Sequence, residues 1–154
     1  MARAFRLPCF VVVAAVLLVA AACSNSSSSN SGSTSGSNFS PTTAGSGLRI
    51  TDLVVGTGAT AAAGNRITVN YGGWLFDASQ PDGKGRQFDA NTAYTFTLGV
   101  GQVITGWDQG VVGMRVGGQR RLVVPPDLAY GNQAVGTIAP NSTLVFDIRL
   151  IGIG

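Results

Sequence analysis

With 154 residues, 45% of them hydrophobic, the chain has room for one domain plus flanking segments. It contains no histidine, all seven acids are aspartate, and the two cysteines are Cys9 and Cys23, which excludes His-based catalysis and most zinc sites. The net charge of +3 falls to about +1 once Arg3 and Arg6 are assigned to an export signal, because eight basic residues then face seven acids, too even a balance for nucleic acid.

Met1 to Cys23 reads as that signal. Arg3 and Arg6 make a positive start, Phe10 to Leu18 is an unbroken apolar run, and Ala20-Ala21-Ala22 supplies small residues before Cys23. The apolar stretch is too short for a comfortable membrane span. A cysteine directly after small residues resembles the lipobox of bacterial lipoproteins, which implies acylation of Cys23 and anchoring by lipid at a bacterial cell membrane. Ala20 stands where that motif usually has Leu. The alternative is an ordinary secretory peptide and a secreted or periplasmic soluble product. Residues 24–46 are dominated by Ser, Gly, Asn and Thr, with too little apolar surface to offset their ordering entropy. They are expected to be a disordered tether whose ends stand about 25–30 Å apart.

From residue 47 to 154 short apolar alternations are punctuated by Gly, Pro, Asn and Asp, the pattern of a folded β-rich domain. Leu48 to Leu53 is a first strand, closed by the turn Gly56-Thr57-Gly58. Ile67, Val69, Tyr71 and Leu75 mark a second, and Ala78 to Gly85 is expected to be a polar loop. Tyr94, Phe96 and Leu98 mark a third strand, Leu122 and Val124 a fourth that Pro125-Pro126 stops, and Leu144, Phe146, Ile148 and Leu150 the last. One helix is expected from Thr105 to about Val112, with Thr105 as N-cap and Asp108 completing a capping-box-like pair. Gly106 and Gly110 each cost about 1 kcal/mol against Ala, so packing must hold this helix. Arg120-Arg121 is expected to be a solvated pair on a strand. The order of elements predicts an α+β fold, a curled antiparallel β-sheet wrapped over one short α-helix.

Five stretches then stand in order across about 110 residues: Val69-Asn70-Tyr71-Gly72-Gly73, Phe88-Asp89, Gly101 to Trp107, Pro126 to Gly131, and Thr143 to Asp147. Together they resemble the motifs of the FKBP-type peptidyl-prolyl cis–trans isomerases. The resemblance implies that Tyr71, Asp89, Ile104, Trp107 and Tyr130 form the catalytic set. In that family the Ile backbone N–H and the Tyr hydroxyl bond ligand carbonyls, and the Trp is the pocket floor. Phe88, Tyr94, Val103, Ile138 and Phe146 are the implied substrate-binding residues, Ile138 matching an apolar residue of the pocket flap; for Tyr94, Thr137 and Ile138, packing in the core or the flap fits equally well. Tyr94 stands where the family usually has Phe, Thr137 replaces an apolar flap residue, and only four residues separate Asp89 from Tyr94, so an Arg partner for the aspartate is missing. The loop from Asp77 to Gln87 looks longer than the family's.

Such a site needs no metal, cofactor or nucleophile. Its implied partners are proline-containing polypeptides and macrolides such as rapamycin, with no nucleic acid, membrane contact through the anchor only, and a monomer as the expected state. Two other functions fit the same residues: a non-catalytic module that binds Pro-containing segments, and an extracytoplasmic chaperone that holds clients with the long loop. Gly99-Val100-Gly101 is no dinucleotide fingerprint, because Ile104 occupies the third glycine position.

Overall fold

The computed structural model describes residues 42–43 and 47–154; the export signal, Cys23 and most of the Ser/Gly segment lie outside these residues. Period-two burial builds the sheet. In the strand Arg66–Phe76 (β3), Ile67 and Val69 are fully buried while Thr68 and Asn70 alternate with them toward the other face. The strand Leu144–Ile153 (β6) buries Phe146, Ile148 and Leu150 in the same way, and Gln119–Val124 (β5) buries Leu122 and Val124. With Arg49–Val54 (β2), Lys84–Thr97 (β4) and the two-residue strand Thr42–Thr43 (β1), they form one sheet in the order β1-β2-β5-β6-β3-β4. Every neighbouring pair is antiparallel.

The one α-helix among the described residues, Thr105–Gly110 (α1), lies on the buried face of this sheet, as the α+β expectation required. Its two glycines are explained by how closely it sits. A methyl group at Gly106 would run into the Val124 side chain, and one at Gly110 would come within 2.6 Å of Leu122 Cδ2. Helix propensity is given up so that the helix backbone can rest directly on β5. Leu48, Leu98, Val111, Leu144 and Leu150 complete a core in which each side chain is fully enclosed, each worth about 1.5–3 kcal/mol of burial.

Several expectations need correction. Residues 42 and 43, placed in the tether, pair with β2 through Thr42 opposite Ile50 and Thr43 opposite Arg49. The polar loop is shorter than expected, because β4 already begins at Lys84 and runs for 14 residues to Thr97. What remains, residues 77–83, is a tight turn. Asp77 Oδ1 accepts the backbone N–H of Ser79 at 2.9 Å and its hydroxyl at 2.7 Å, and Asp77 N–H donates to Gly83 O at 3.0 Å. The four residues after Asp89 are likewise strand, with a register shift and Ala93 at φ 59°, where Ala93 N–H donates to Asn70 Oδ1 at 2.8 Å.

The two arginines are not solvated. Arg121 forms a two-pronged pair with Asp147, at 2.7 and 2.9 Å, and Lys84 Nζ lies 2.6 Å from the same carboxylate. Burial by itself would raise the Asp147 carboxyl, yet the two cations hold it below its ordinary value. Arg120 pairs with Asp52 on the neighbouring strand and donates to Gly110 O at 2.8 Å, tying the C-terminal end of α1 to the sheet.

Candidate functional site

The inner face of the sheet carries aromatic rings wherever β3, β4 and β6 face α1, and Trp107 projects from the helix into their midst. Its ring centroid stands 4.8 Å from Tyr71 and 5.3 Å from Phe146, both nearly perpendicular, and 5.7 Å from Phe96. Tyr94 stands edge-on to Tyr71 at 5.8 Å, and Phe88 edge-on to Phe146 at 5.7 Å. Trp107 is only 4% exposed. Its Nε1 is buried without a hydrogen-bond partner among the described residues, so the floor presents ring carbon surface and no solvated polar group.

Above this floor opens a cavity of about 440 Å³. Tyr71, Phe88, Asp89 and Tyr94 wall it on the β3–β4 side, and Val103, Ile104 and Tyr130 on the loop side, with Phe146 beneath. Nine of the ten residues expected at the site are thereby brought together. Ile138 is not. It closes a tight hairpin with Val135 (Ile138 N–H to Val135 O, 2.9 Å), is 6% exposed, and packs in the core without lining the cavity. Gly101 and Gln102 also line the cavity and were not expected. Both lie within the motif running from Gly101 to Trp107, and that was the available signal.

Polar groups converge on the apolar walls from three directions. Tyr71 Oη donates to Asp89 Oδ2 at 2.6 Å. Burial, reinforced by the Asp89 carboxylate that accepts its proton, holds the Tyr71 phenol well above its ordinary value, so it remains a donor. Burial followed by the charge of Asp89 also raises the Tyr130 phenol. The Tyr130 side chain stands at the exposed rim with no hydrogen bond to the described residues. Ile104 precedes the helix in an extended conformation (φ −59°, ψ 148°); its carbonyl accepts from Trp107 N–H at 2.9 Å, while its own N–H meets no acceptor among the described residues. No ion pair engages Asp89 among the described residues.

An apolar cup with unspent donors at its rim accommodates a small apolar ring between two carbonyl groups. Comparison with known proteins agrees with that shape: residues 58–151 match the family model described as FKBP-type peptidyl-prolyl cis-trans isomerase. The chain belongs to this family. It is 44% identical over 108 residues to the FK506-binding protein of Neisseria meningitidis serogroup B, covering 70% of this chain and 96% of that protein. It is 46% identical over 110 residues to the FK506-binding protein 4 of Chaetomium thermophilum, covering 70% of this chain. The match spans only 21% of that longer relative. Among solved structures it is similar to the crystal structure of AtFKBP13, with a TM-score of 0.64 and 39% identity, covering 75% of this chain and 99% of that one.

Proposed function

We propose that the domain accelerates the cis–trans isomerisation of X–Pro bonds by drawing the prolyl amide out of water into the cup over Trp107. The uncatalysed barrier is about 18–20 kcal/mol, because resonance gives the C–N bond partial double-bond character. The planar amide is more polar than its twisted transition state, so water stabilises the ground state more. Transfer to an apolar cavity removes that advantage. Trp107 and Phe146 receive the pyrrolidine ring from below, while Tyr71, Phe88 and Tyr94 wall it in. The Ile104 N–H and the Tyr130 hydroxyl hold the flanking carbonyls as the bond turns, and Asp89, oriented by Tyr71, faces the amide. A reduction of the barrier by about 4 kcal/mol multiplies the rate roughly a thousandfold.

The observation that carries this reading is the free Ile104 N–H at the edge of an aromatic cup whose other polar groups are already positioned. The same cup supports macrolides as competing ligands, in keeping with the FK506-binding relatives. Proline-limited refolding of a test protein checks the activity. Acceleration by the protein, diminished by Trp107→Ala or Asp89→Ala and by rapamycin, is the expected result; peptide binding with no acceleration would establish a binding module instead.

The substrates we propose are exported polypeptides, met outside the cytoplasm by a domain held to a bacterial membrane through acyl chains on Cys23. The support is the positive start, apolar run and small residues before Cys23, followed by a Ser/Gly-rich segment. Labelling bacterial cells with a fatty-acid probe tests it: incorporation should require Cys23 and vanish in Cys23→Ser. An unlabelled, soluble product would favour simple secretion. The holding-chaperone alternative is not favoured, because residues 77–83 are folded back on themselves and joined to the sheet through Arg121 Nη1 and Asp82 O at 3.2 Å.

A further inference from the structure

Asp108 stands in the first turn of α1, where a carboxylate ordinarily closes back on the helix's own N–H groups. It does something else. Oδ1 accepts from the N–H of Gly99 at 2.9 Å and Oδ2 from the N–H of Gly101 at 2.8 Å. Both glycines hold left-handed conformations, with φ of 78° and 75°, so the turn aims two alternate N–H groups at one carboxylate. Gln102 pins the same turn from its other side, its Oε1 accepting from Thr97 N–H at 2.8 Å. The turn leads directly into Val103 and Ile104 on the cavity wall, and Gly101 and Gln102 themselves line the cavity.

The carboxylate therefore joins two parts of the site that also meet where the Ile104 carbonyl accepts from the Trp107 and Asp108 N–H groups. One is the turn whose end presents the Ile104 N–H; the other is the helix that carries Trp107. On the reading that this N–H is the donor to the bound peptide, we infer that Asp108 is a positioning residue for isomerisation, which sets the Ile104 N–H relative to the Trp107 floor. Asp108 lines no part of the cavity itself, so its effect on turnover runs through the turn. Two acceptor oxygens are required. Asparagine would keep one and present an NH2 group to the second backbone N–H, donor against donor, whereas glutamate keeps both oxygens on a longer stem.

The test compares Asp108→Asn, Asp108→Ala and Asp108→Glu with the unsubstituted protein, at a temperature where thermal melts show all to be folded. Three quantities are read: kcat/KM on a proline-limited peptide, the amide chemical shifts and exchange rates of Gly99, Gly101 and Ile104, and the melting midpoint. The expected result is a roughly ten- to hundredfold loss of kcat/KM for Asn and Ala, as follows from misplacing a donor by a fraction of an ångström to an ångström. The Ile104 amide should shift with it, and Glu should recover part of both. Wild-type turnover and an unmoved Ile104 amide in all three variants would overturn the inference, as would losses that merely track the folded fraction. An inert unsubstituted protein would overturn the site reading itself, and this role with it, so the two failures are told apart.

Discussion

Tyr71 Oη lies 2.6 Å from Asp89 Oδ2, a bond that crosses diagonally from β3 to β4, since the residue directly opposite Asp89 is Gly73. Both residues line the cavity, so the bond ties β3 and β4 together at its wall.

Tyr71→Phe removes this donor and leaves the ring. A hydrogen bond to a charged group is worth about 1.5–3 kcal/mol, and partial solvent access favours the lower figure. We expect kcat/KM to fall about tenfold, and the melting temperature to drop by several degrees because the bond is already made in the free protein. Refolding assays and a thermal melt on the same sample check both.

Trp107→Ala should act on both stability and turnover. The ring is packed against Tyr71, Phe96 and Phe146, so its removal leaves a large void and costs about 3–5 kcal/mol. Urea denaturation measures the loss. Trp107→Phe should recover most of the stability and part of the activity.

Turnover should not titrate near neutrality. Both the Tyr71 and Tyr130 phenols are held above their ordinary value of 10.0. Each raised phenol favours the folded state fully below pH 10 and loses that contribution as pH climbs beyond it. A flat kcat/KM from about pH 7 to 9 is expected, with stability declining only in stronger alkali. A bell-shaped profile centred near neutrality would contradict the assignment.

The opposite sign applies to Asp147. Its carboxyl is depressed in the folded state below the ordinary 3.8 by Arg121 and Lys84, despite burial acting the other way. Its contribution is therefore complete above the unfolded value and lost as pH falls below about 4. Asp147→Asn should cost about 2–3 kcal/mol at pH 7, because two cations that are only 20% exposed lose their nearest carboxylate and keep the longer contacts to Asp82 at 3.6 and 4.0 Å, and much less at pH 3. Denaturation at the two pH values reads the difference.

Close packing of α1 gives a last expectation. Gly106→Ala puts a methyl into Val124, and the strain should cost about 1–3 kcal/mol even though Ala is the better helix former. A stabilised protein would show that the helix has freedom to lift from β5.

How far the sequence could be read depended on the range of each interaction. The α+β class and the strands were legible because burial alternates with every second residue, as at Ile67 and Val69 or Phe146 and Ile148. The aromatic cup was legible because its members sit in motifs whose order survives in the chain. The place of Ile138 was not decided by the sequence, for the converse reason. Whether an apolar residue on a hairpin turns to the cavity or to the core depends on the path of the hairpin, and the bond pair with Val135 turns it inward.

Taken alone, the sequence determined the family, the fold class and the apolar and aromatic content of the site, all consequences of local periodicity and short motifs. The polar partnerships were decided only by tertiary structure. Arg120 and Arg121 find Asp52 and Asp147 because strand pairing sets them side by side. The expected cap at Thr105 is absent, Ile104 is the N-cap with no side-chain bond, and Asp108 turns to Gly99 and Gly101. A carboxylate takes the N–H groups that the folded backbone leaves nearest and unpaired, and that geometry exists only once sheet, turn and helix have come together.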